Sequence, residues 1–132
     1  MYHPKMNEFN RRLKVLFDEV DDWLEDRYDS RFRISPNRPE RGTTSNKSQD
    51  GLFNVGPQFT AGYGSEHGRG YAVYIHISTV DTVTPELREE IEESVRSLID
   101  RLLKSHFPER ELKVERDIRG LKIVGNFNLG KM

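Results

Sequence analysis

The sequence predicts an α+β domain of two layers, in which two amphipathic helices pack on one face of a small mixed sheet of three to five strands. Two long segments, 5–29 and 85–106, carry apolar residues at steps of three and four, which is typical of amphipathic helices. Segment 71–80 alternates between apolar and polar residues, which predicts a β-strand. The chain has no break in composition, so we expect a single domain over residues 1–132.

The first helix is indicated by a long apolar stripe. Its members share one face of a 3.6-residue period: Met6, Phe9, Leu13, Leu16, Val20, Trp23 and Leu24. The charged residues of the same segment are predicted to face solvent: Arg11, Arg12, Lys14, Asp18, Asp21, Asp22 and Glu25. We expect the stripe to cover the sheet. The same spacing also permits a seam with a second copy, which leaves a homodimer or larger homo-oligomer open.

A long excursion follows over 30–70, between the first helix and the central strand. It holds seven of the ten glycines and three of the six prolines of the chain. Structureless loops longer than about 12–15 residues are uncommon in compact domains and are usually functional or disordered. Large apolar residues such as Leu52, Phe53 and Phe59 interrupt this one. We therefore predict an ordered excursion, with short strands near 52–55 and 58–61.

The second half of the chain predicts a strand, a helix and two strands. Strand 71–80 is followed by Thr84 and Pro85, a hydroxyl cap and a proline that suit the first turn of a helix. Two strands are expected over 111–129, with a turn at Gly120. A right-handed strand-helix-strand crossover would place the second helix on the same face as the first.

Overall composition disfavours several classes of partner. The formal net charge is −1, which provides no general attraction to nucleic acids or acidic membranes. Nucleic acid is not excluded, because Tyr74 and His76 on the polar strand face could stack on bases. The absence of cysteine excludes disulfides and cysteine-ligated zinc and favours a cytoplasmic location. No apolar run is long enough to span a bilayer.

The charges are unevenly distributed along the chain. Segment 18–29 contains seven acids and one base, and segment 31–47 contains five bases and one acid. One interpretation is that the basic run folds back onto the acidic end of the helix. The other is an anion-binding loop beside a repulsive acidic surface.

The glycine-rich stretch 62–70 is the most suggestive local motif. Glycines let backbone amides converge on an anion, although neither the dinucleotide fingerprint nor the P-loop is present. Guanidinium groups bind phosphate or carboxylate through paired contacts. The candidate anion-binding residues are Arg38, Arg41, Tyr63, Ser65, Gly68, Arg69 and Gly70. His67 beside Glu66 is the candidate acid–base residue.

These features favour a non-catalytic binding or assembly module. Its surface would be the 30–70 excursion, and its partner a protein or an anionic small molecule. One alternative is a small enzyme that acts on a phosphorylated or carboxylated substrate with His67 as general acid–base. A third interpretation is an RNA- or ribosome-associated protein. The sequence predicts no metal site and no cofactor.

Overall fold

The computed structural model describes residues 4–60, 70–117 and 120–125. Within these residues the protein forms two helices and four strands, with a short 3-10 turn at Lys47–Gln49. In chain order they are α1 (Pro4–Tyr28), β1 (Phe53–Thr60), β2 (Gly70–Ile77), α2 (Pro85–His106), β3 (Leu112–Asp117) and β4 (Gly120–Gly125). Two helices packed with a four-stranded sheet confirm the predicted α+β class.

The sheet has the order β1-β2-β4-β3, and every neighbouring pair is antiparallel. Strands β1 and β2 pair from Phe53–Ile77 to Thr60–Gly70. Strand β4 lies between β2 and β3, so the two strands that flank α2 in sequence are parallel in direction but are not neighbours. In this detail the sheet differs from the expected mixed one, because the last hairpin inserts its second strand beside β2.

Strand β1 is continuous where the sequence predicted two short pieces. Pro57 lacks a backbone N–H, and β1 tolerates it because it is an edge strand. Gly56 pairs with Tyr74 of β2, and a Cβ atom at Gly56 would lie 2.6 Å from the Tyr74 hydroxyl oxygen. The phenol ring therefore occupies the space above the glycine, which keeps the strand intact.

The helices lie side by side and antiparallel on one face of the sheet. The Tyr28 hydroxyl donates to Glu90 at 2.8 Å near one end, and Glu19 contacts His106 near the other. Together with the four strands they bury one continuous apolar cluster, which is the core of the described residues. Its largest fully buried members include Leu13, Leu16, Leu24, Tyr28, Phe53, Ile91, Ile99, Leu103, Phe107 and Ile123.

Helix α2 begins as the sequence predicted. The Thr84 hydroxyl accepts from the Leu87 amide at 3.1 Å, and Pro85 is the first helical residue. Arg88 in the first turns donates to the Ile75 carbonyl at 2.8 Å, which attaches the helix to β2. The predicted continuation of the last strand beyond Gly125 lies outside the described residues.

Candidate functional site

Two cations of the described part of the excursion contact the acidic end of α1. Arg41 contacts Asp22 at 3.1 Å and Asp26 at 2.9 Å, and Lys47 contacts Asp22 at 3.1 Å. Partial burial alone would raise the pKa of Asp22, but hydrogen bonds from Lys47 and Arg41 outweigh it and lower that pKa. For these residues the basic run folds back onto the helix, which is the first of the two interpretations of the charge pattern.

Arg38 joins the two ends of the loop that precedes β1. Its Nε donates to the Gly51 carbonyl at 2.9 Å and its Nη2 to the Asp50 carbonyl at 3.1 Å. The Asp50 carboxylate accepts from the Gly42 amide at 3.2 Å and from the Thr44 amide and hydroxyl at 3.0 Å. Burial alone would raise the pKa of Asp50, but the hydrogen bonds from Thr44 outweigh it and lower that pKa. Arg38 thus holds the loop closed, and its binding of an external anion stays a prediction.

The other predicted anion-binding residues are Gly70, at the start of β2, and residues that precede it in the sequence. Gly70 begins that strand, and a Cβ atom there would lie 2.3 Å from the Ile123 carbonyl oxygen. The backbones of β2 and β4 approach so closely at Gly70 that a ligand has no room on that side. The remaining candidates lie outside the described residues, and their roles stay predictions: Tyr63, Ser65, His67, Gly68 and Arg69.

Two acids of α1 that were predicted to face solvent are buried. Asp21 is 4% exposed and Glu25 is 2% exposed. That prediction was wrong because the stripe was drawn through apolar residues alone. Phe17 and Tyr28 are buried as well and bracket the two acids at steps of three and four. This spacing is the signal from which the sequence could have placed the acids on a buried face.

Glu25 fixes the entry into β1. Its carboxylate accepts from the Phe53 amide at 2.8 Å. Burial raises the pKa of Glu25, against the lowering by hydrogen bonds from the Phe53 and Leu52 amides. Gly51 has a φ of +76°, and a Cβ atom on it would lie 2.5 Å from Glu25 Oε2. The loop therefore passes the carboxylate at a distance that only glycine permits.

Asp21 lies one turn earlier and is poorly satisfied. Its Oδ2 atom is buried and has no hydrogen-bond partner among the described residues. Burial, and then repulsion by Glu25 and Asp22, raises the pKa of Asp21 to about 8. A neutral carboxyl group therefore occupies this position at neutral pH. No group of three His, Cys, Asp or Glu side chains within the described ranges has the geometry of a metal site.

A groove of about 370 Å³ runs between the outer sides of the two helices. We call it the helix groove, and its lining residues are Trp23, Arg27, Glu93, Ser94, Ser97, Leu98 and Arg101. The Arg27 guanidinium carbon lies 5.3 Å from the centre of the Trp23 ring, which is cation–π distance. Ser94 and Ser97 are small side chains one turn apart on α2. They leave space beside the indole that larger residues would fill.

The charges of the helix groove are unevenly satisfied. Glu93 is bound by Arg96, whose Nε lies 3.0 Å from Glu93 Oε2, and this hydrogen bond lowers the pKa of Glu93. Arg27 and Arg101 form no ion pair with a carboxylate in the described part of the chain. The groove therefore presents two exposed guanidinium groups and two serine hydroxyls. Trp23 belongs to the stripe predicted to cover the sheet, and it packs against the core but is only half-buried. Its spacing of four residues from Arg27 is the signal that could have indicated the contact between them.

The sheet face opposite the helices carries the residues predicted to stack on bases. Tyr74 is 41% exposed and His76 is exposed as well. Cations are scarce on the described part of this face, because Lys113 pairs with Glu115 at 2.9 Å and Lys122 is only 3% exposed. The described part of this face therefore offers an aromatic surface with little of the positive charge that binds phosphates.

Comparison with known proteins relates the whole architecture to a family. A family model described as "Uncharacterised protein" matches residues 4–125. The chain belongs to this family. Because the match runs from α1 to β4, it covers both helices, the sheet and the helix groove.

One relative is an uncharacterized protein of Borreliella burgdorferi. It is 39% identical over 123 residues, which cover 93% of this chain and 96% of the relative. No solved structure gives a significant match to the chain. In the described ranges, neither helix is both long and apolar enough to cross a membrane.

Proposed function

We propose that this member of the family is a non-catalytic binding module, and that a protein partner docks in the helix groove. The observation that carries the proposal is the half-buried Trp23 with Arg27 stacked on its ring, beside a second guanidinium at Arg101. Tryptophan and arginine are among the residues most enriched where the binding energy of protein interfaces concentrates.

The lining of the helix groove favours a protein segment over a small molecule. Small-molecule sites are concave and predominantly apolar, with few polar groups. Here only Trp23 and Leu98 are apolar, and the other five lining residues are charged or hydroxylic. A nucleic acid would require several cations along its backbone. The groove offers only Arg27 and Arg101, and the chain as a whole has a net charge of −1.

Among the described residues, no histidine lies beside the hydroxyls of the groove, and its one acid, Glu93, is bound by Arg96. A general base must lie within hydrogen-bond reach of the hydroxyl that it activates. Ser94 and Ser97 line the groove, but neither described histidine does. His106 contacts Glu19, and His76 lies on the other side of the sheet. The groove within the described residues is therefore suited to binding.

In this proposal the excursion supports the groove from behind. Arg41 and Lys47 hold the acidic side of α1, and Arg38 closes the loop that leads into β1. This places the helix that carries Trp23. The excursion as a docking surface in its own right remains a secondary proposal, supported by the four glycines and Arg69 of segment 62–70.

Site-specific photo-crosslinking tests the proposal. A benzoyl-phenylalanine at Ser97 places the reactive group in the helix groove, and the same residue at Ser105, another exposed serine of α2, is the matched control. In cells that naturally contain the protein, we expect a discrete crosslinked polypeptide from position 97, reduced by Trp23→Ala, and none from position 105. Equal products at both positions, or none from position 97, would overturn the proposal.

A further inference from the structure

We infer that the partner segment in the helix groove is acidic and places an apolar side chain against Trp23. This inference rests on the proposed function and names the chemistry of the partner. Its basis is that two exposed guanidinium groups without a carboxylate partner among the described residues line the same groove.

Most cations in the described part of the chain already contact a carboxylate. Arg33, for example, contacts Asp81 at 2.8 Å, and Arg116 contacts Glu89 at 3.1 Å. Arg27 and Arg101 are exposed and form no such pair there, yet they line the same groove. Two guanidinium groups on facing helices form a paired binding site for acidic side chains.

The neighbouring acids do not neutralise this pair. Glu93, the only acid in the lining of the groove, is bound by Arg96. On α1, Asp26 is bound by Arg41. Glu90 of α2 accepts from the neutral Tyr28 hydroxyl and stays charged, but it does not line the groove. Among the lining residues, Arg27 and Arg101 are the charges without a counter-ion in the described part of the chain, which favours a negatively charged occupant.

The apolar contact is provided by Trp23 together with Leu98. Leu98 is 7% exposed and Trp23 is half-buried, and both line the groove. An aromatic ring contributes most binding free energy when its face is removed from water. An occupant with only charged residues would leave the indole exposed to water. Ser94 and Arg101 are about 10 Å apart along α2, which is about two turns of helix. An acidic segment with one apolar residue fits that length.

Defined peptides can test the inference, because Trp23 is the only tryptophan of the chain and reports directly on the groove. Three synthetic peptides of equal length are titrated against the full-length protein: one of glutamate and leucine, one of lysine and leucine, and one of glutamate and serine. We expect the glutamate–leucine peptide to change the fluorescence of Trp23 with an affinity that falls as salt is added. The lysine peptide should not bind, and the glutamate–serine peptide should bind about fivefold or more weakly.

Charge reversal provides the matched comparison. Arg27→Glu combined with Arg101→Glu should weaken binding of the glutamate–leucine peptide by about tenfold or more, measured by calorimetry because Arg27 itself affects the indole. Arg11→Glu combined with Lys104→Glu makes the same change in net charge outside the groove, and should leave the affinity within about twofold. Circular dichroism verifies that both variants fold, and the salt titration of the unaltered protein supplies the same test without a variant.

Failure of the inference is distinguishable from failure of the proposed function. If the crosslink from position 97 survives the Arg27 and Arg101 reversal and the lysine peptide competes as well as the glutamate peptide, the groove binds a protein that is not acidic, and the inference is overturned. A crosslinked product of twice the mass of the chain would identify a second copy as the occupant and would overturn it as well. If position 97 yields no crosslink, the proposed function itself fails.

Discussion

Asparagine in place of Asp21 is expected to stabilise the protein at neutral and alkaline pH. The folded protein keeps Asp21 protonated up to about pH 8, whereas the unfolded chain ionises it near its ordinary value of 3.8. Between these values the folded state binds more protons, so the free energy of unfolding falls as the pH rises. Below about pH 4 both states are protonated, and the penalty disappears.

The size of the effect follows from the difference between the two pKa values. One pKa unit corresponds to about 1.4 kcal/mol, so burial of Asp21 lowers the free energy of unfolding by about 4 kcal/mol at pH 7. The penalty reaches about 6 kcal/mol above pH 8. An asparagine amide at the same place leaves its own donors partly unsatisfied, at about 1–3 kcal/mol. We expect Asp21→Asn to raise the free energy of unfolding by about 1–3 kcal/mol at pH 7. At about pH 5 the variant and the unaltered protein should be equally stable.

Urea unfolding of both proteins at about pH 5 and about pH 8 measures this. Asp22→Asn is the control, because its carboxylate is half-exposed and its pKa is lowered by Lys47 and Arg41. That variant should lose at most about 1 kcal/mol at neutral pH, and the loss should vanish as the pH falls through the folded pKa of Asp22. If Asp21→Asn and the unaltered protein have parallel stability profiles over this range, the assigned environment of Asp21 is wrong.

Two further predictions concern the loop before β1. Gly51→Ala should destabilise the protein by more than the about 1–2 kcal/mol of a left-handed backbone, because its Cβ would lie 2.5 Å from the buried Glu25 carboxylate. Gly42 has a φ of +86° and open space around it, so Gly42→Ala should lose only the stability that the left-handed backbone costs. If both variants lose the same free energy of unfolding in urea, the close approach of Gly51 to Glu25 is contradicted. Arg38→Ala should lower the free energy of unfolding by about 1–3 kcal/mol, because the carbonyls of Asp50 and Gly51 lose their hydrogen-bond donor. Arg41→Ala should lower it by at most about 1 kcal/mol, because the ion pairs of Arg41 are exposed. Amide exchange of the loop should accelerate for Arg38→Ala, and equal stability of Arg38→Ala and Arg41→Ala would refute the closing role.

The elements that could be predicted from the sequence are those with local signals. The start of α2 follows from Thr84 and Pro85, which act on the backbone next to them. Strand β1 could not be predicted as one element, because Gly56 and Pro57 are typical of a break. The Tyr74 ring that fills the space over Gly56 comes from a different strand. The order of β3 and β4 likewise depends on pairing across the sheet, which no local pattern carries.

The candidate site was harder to predict for the same reason. Asp21 and Glu25 have the spacing of buried residues, but Glu25 is covered by Gly51 and Phe53, which lie more than twenty residues later in the sequence. Trp23 has the period of a core residue, and it is only half-buried because α2 presents small serines beside it. The pairing of Arg41 with α1 was predictable, since opposite charges in neighbouring segments attract.

The opposite charges on the two sides of α1 connect the excursion to the helix groove. On one side, Asp22 and Asp26 are bound by cations of the excursion, and on the other side Arg27 faces the groove beside Arg101. The two acids lie within about one to one and a half turns of Arg27 on the helix. Charges interact over about 8 Å at physiological salt, so without the cations of the excursion these acids would act on Arg27. They would then weaken its attraction for an acidic partner. The excursion therefore does more than connect α1 to the sheet, because its cations neutralise those acids and leave the helix groove positive.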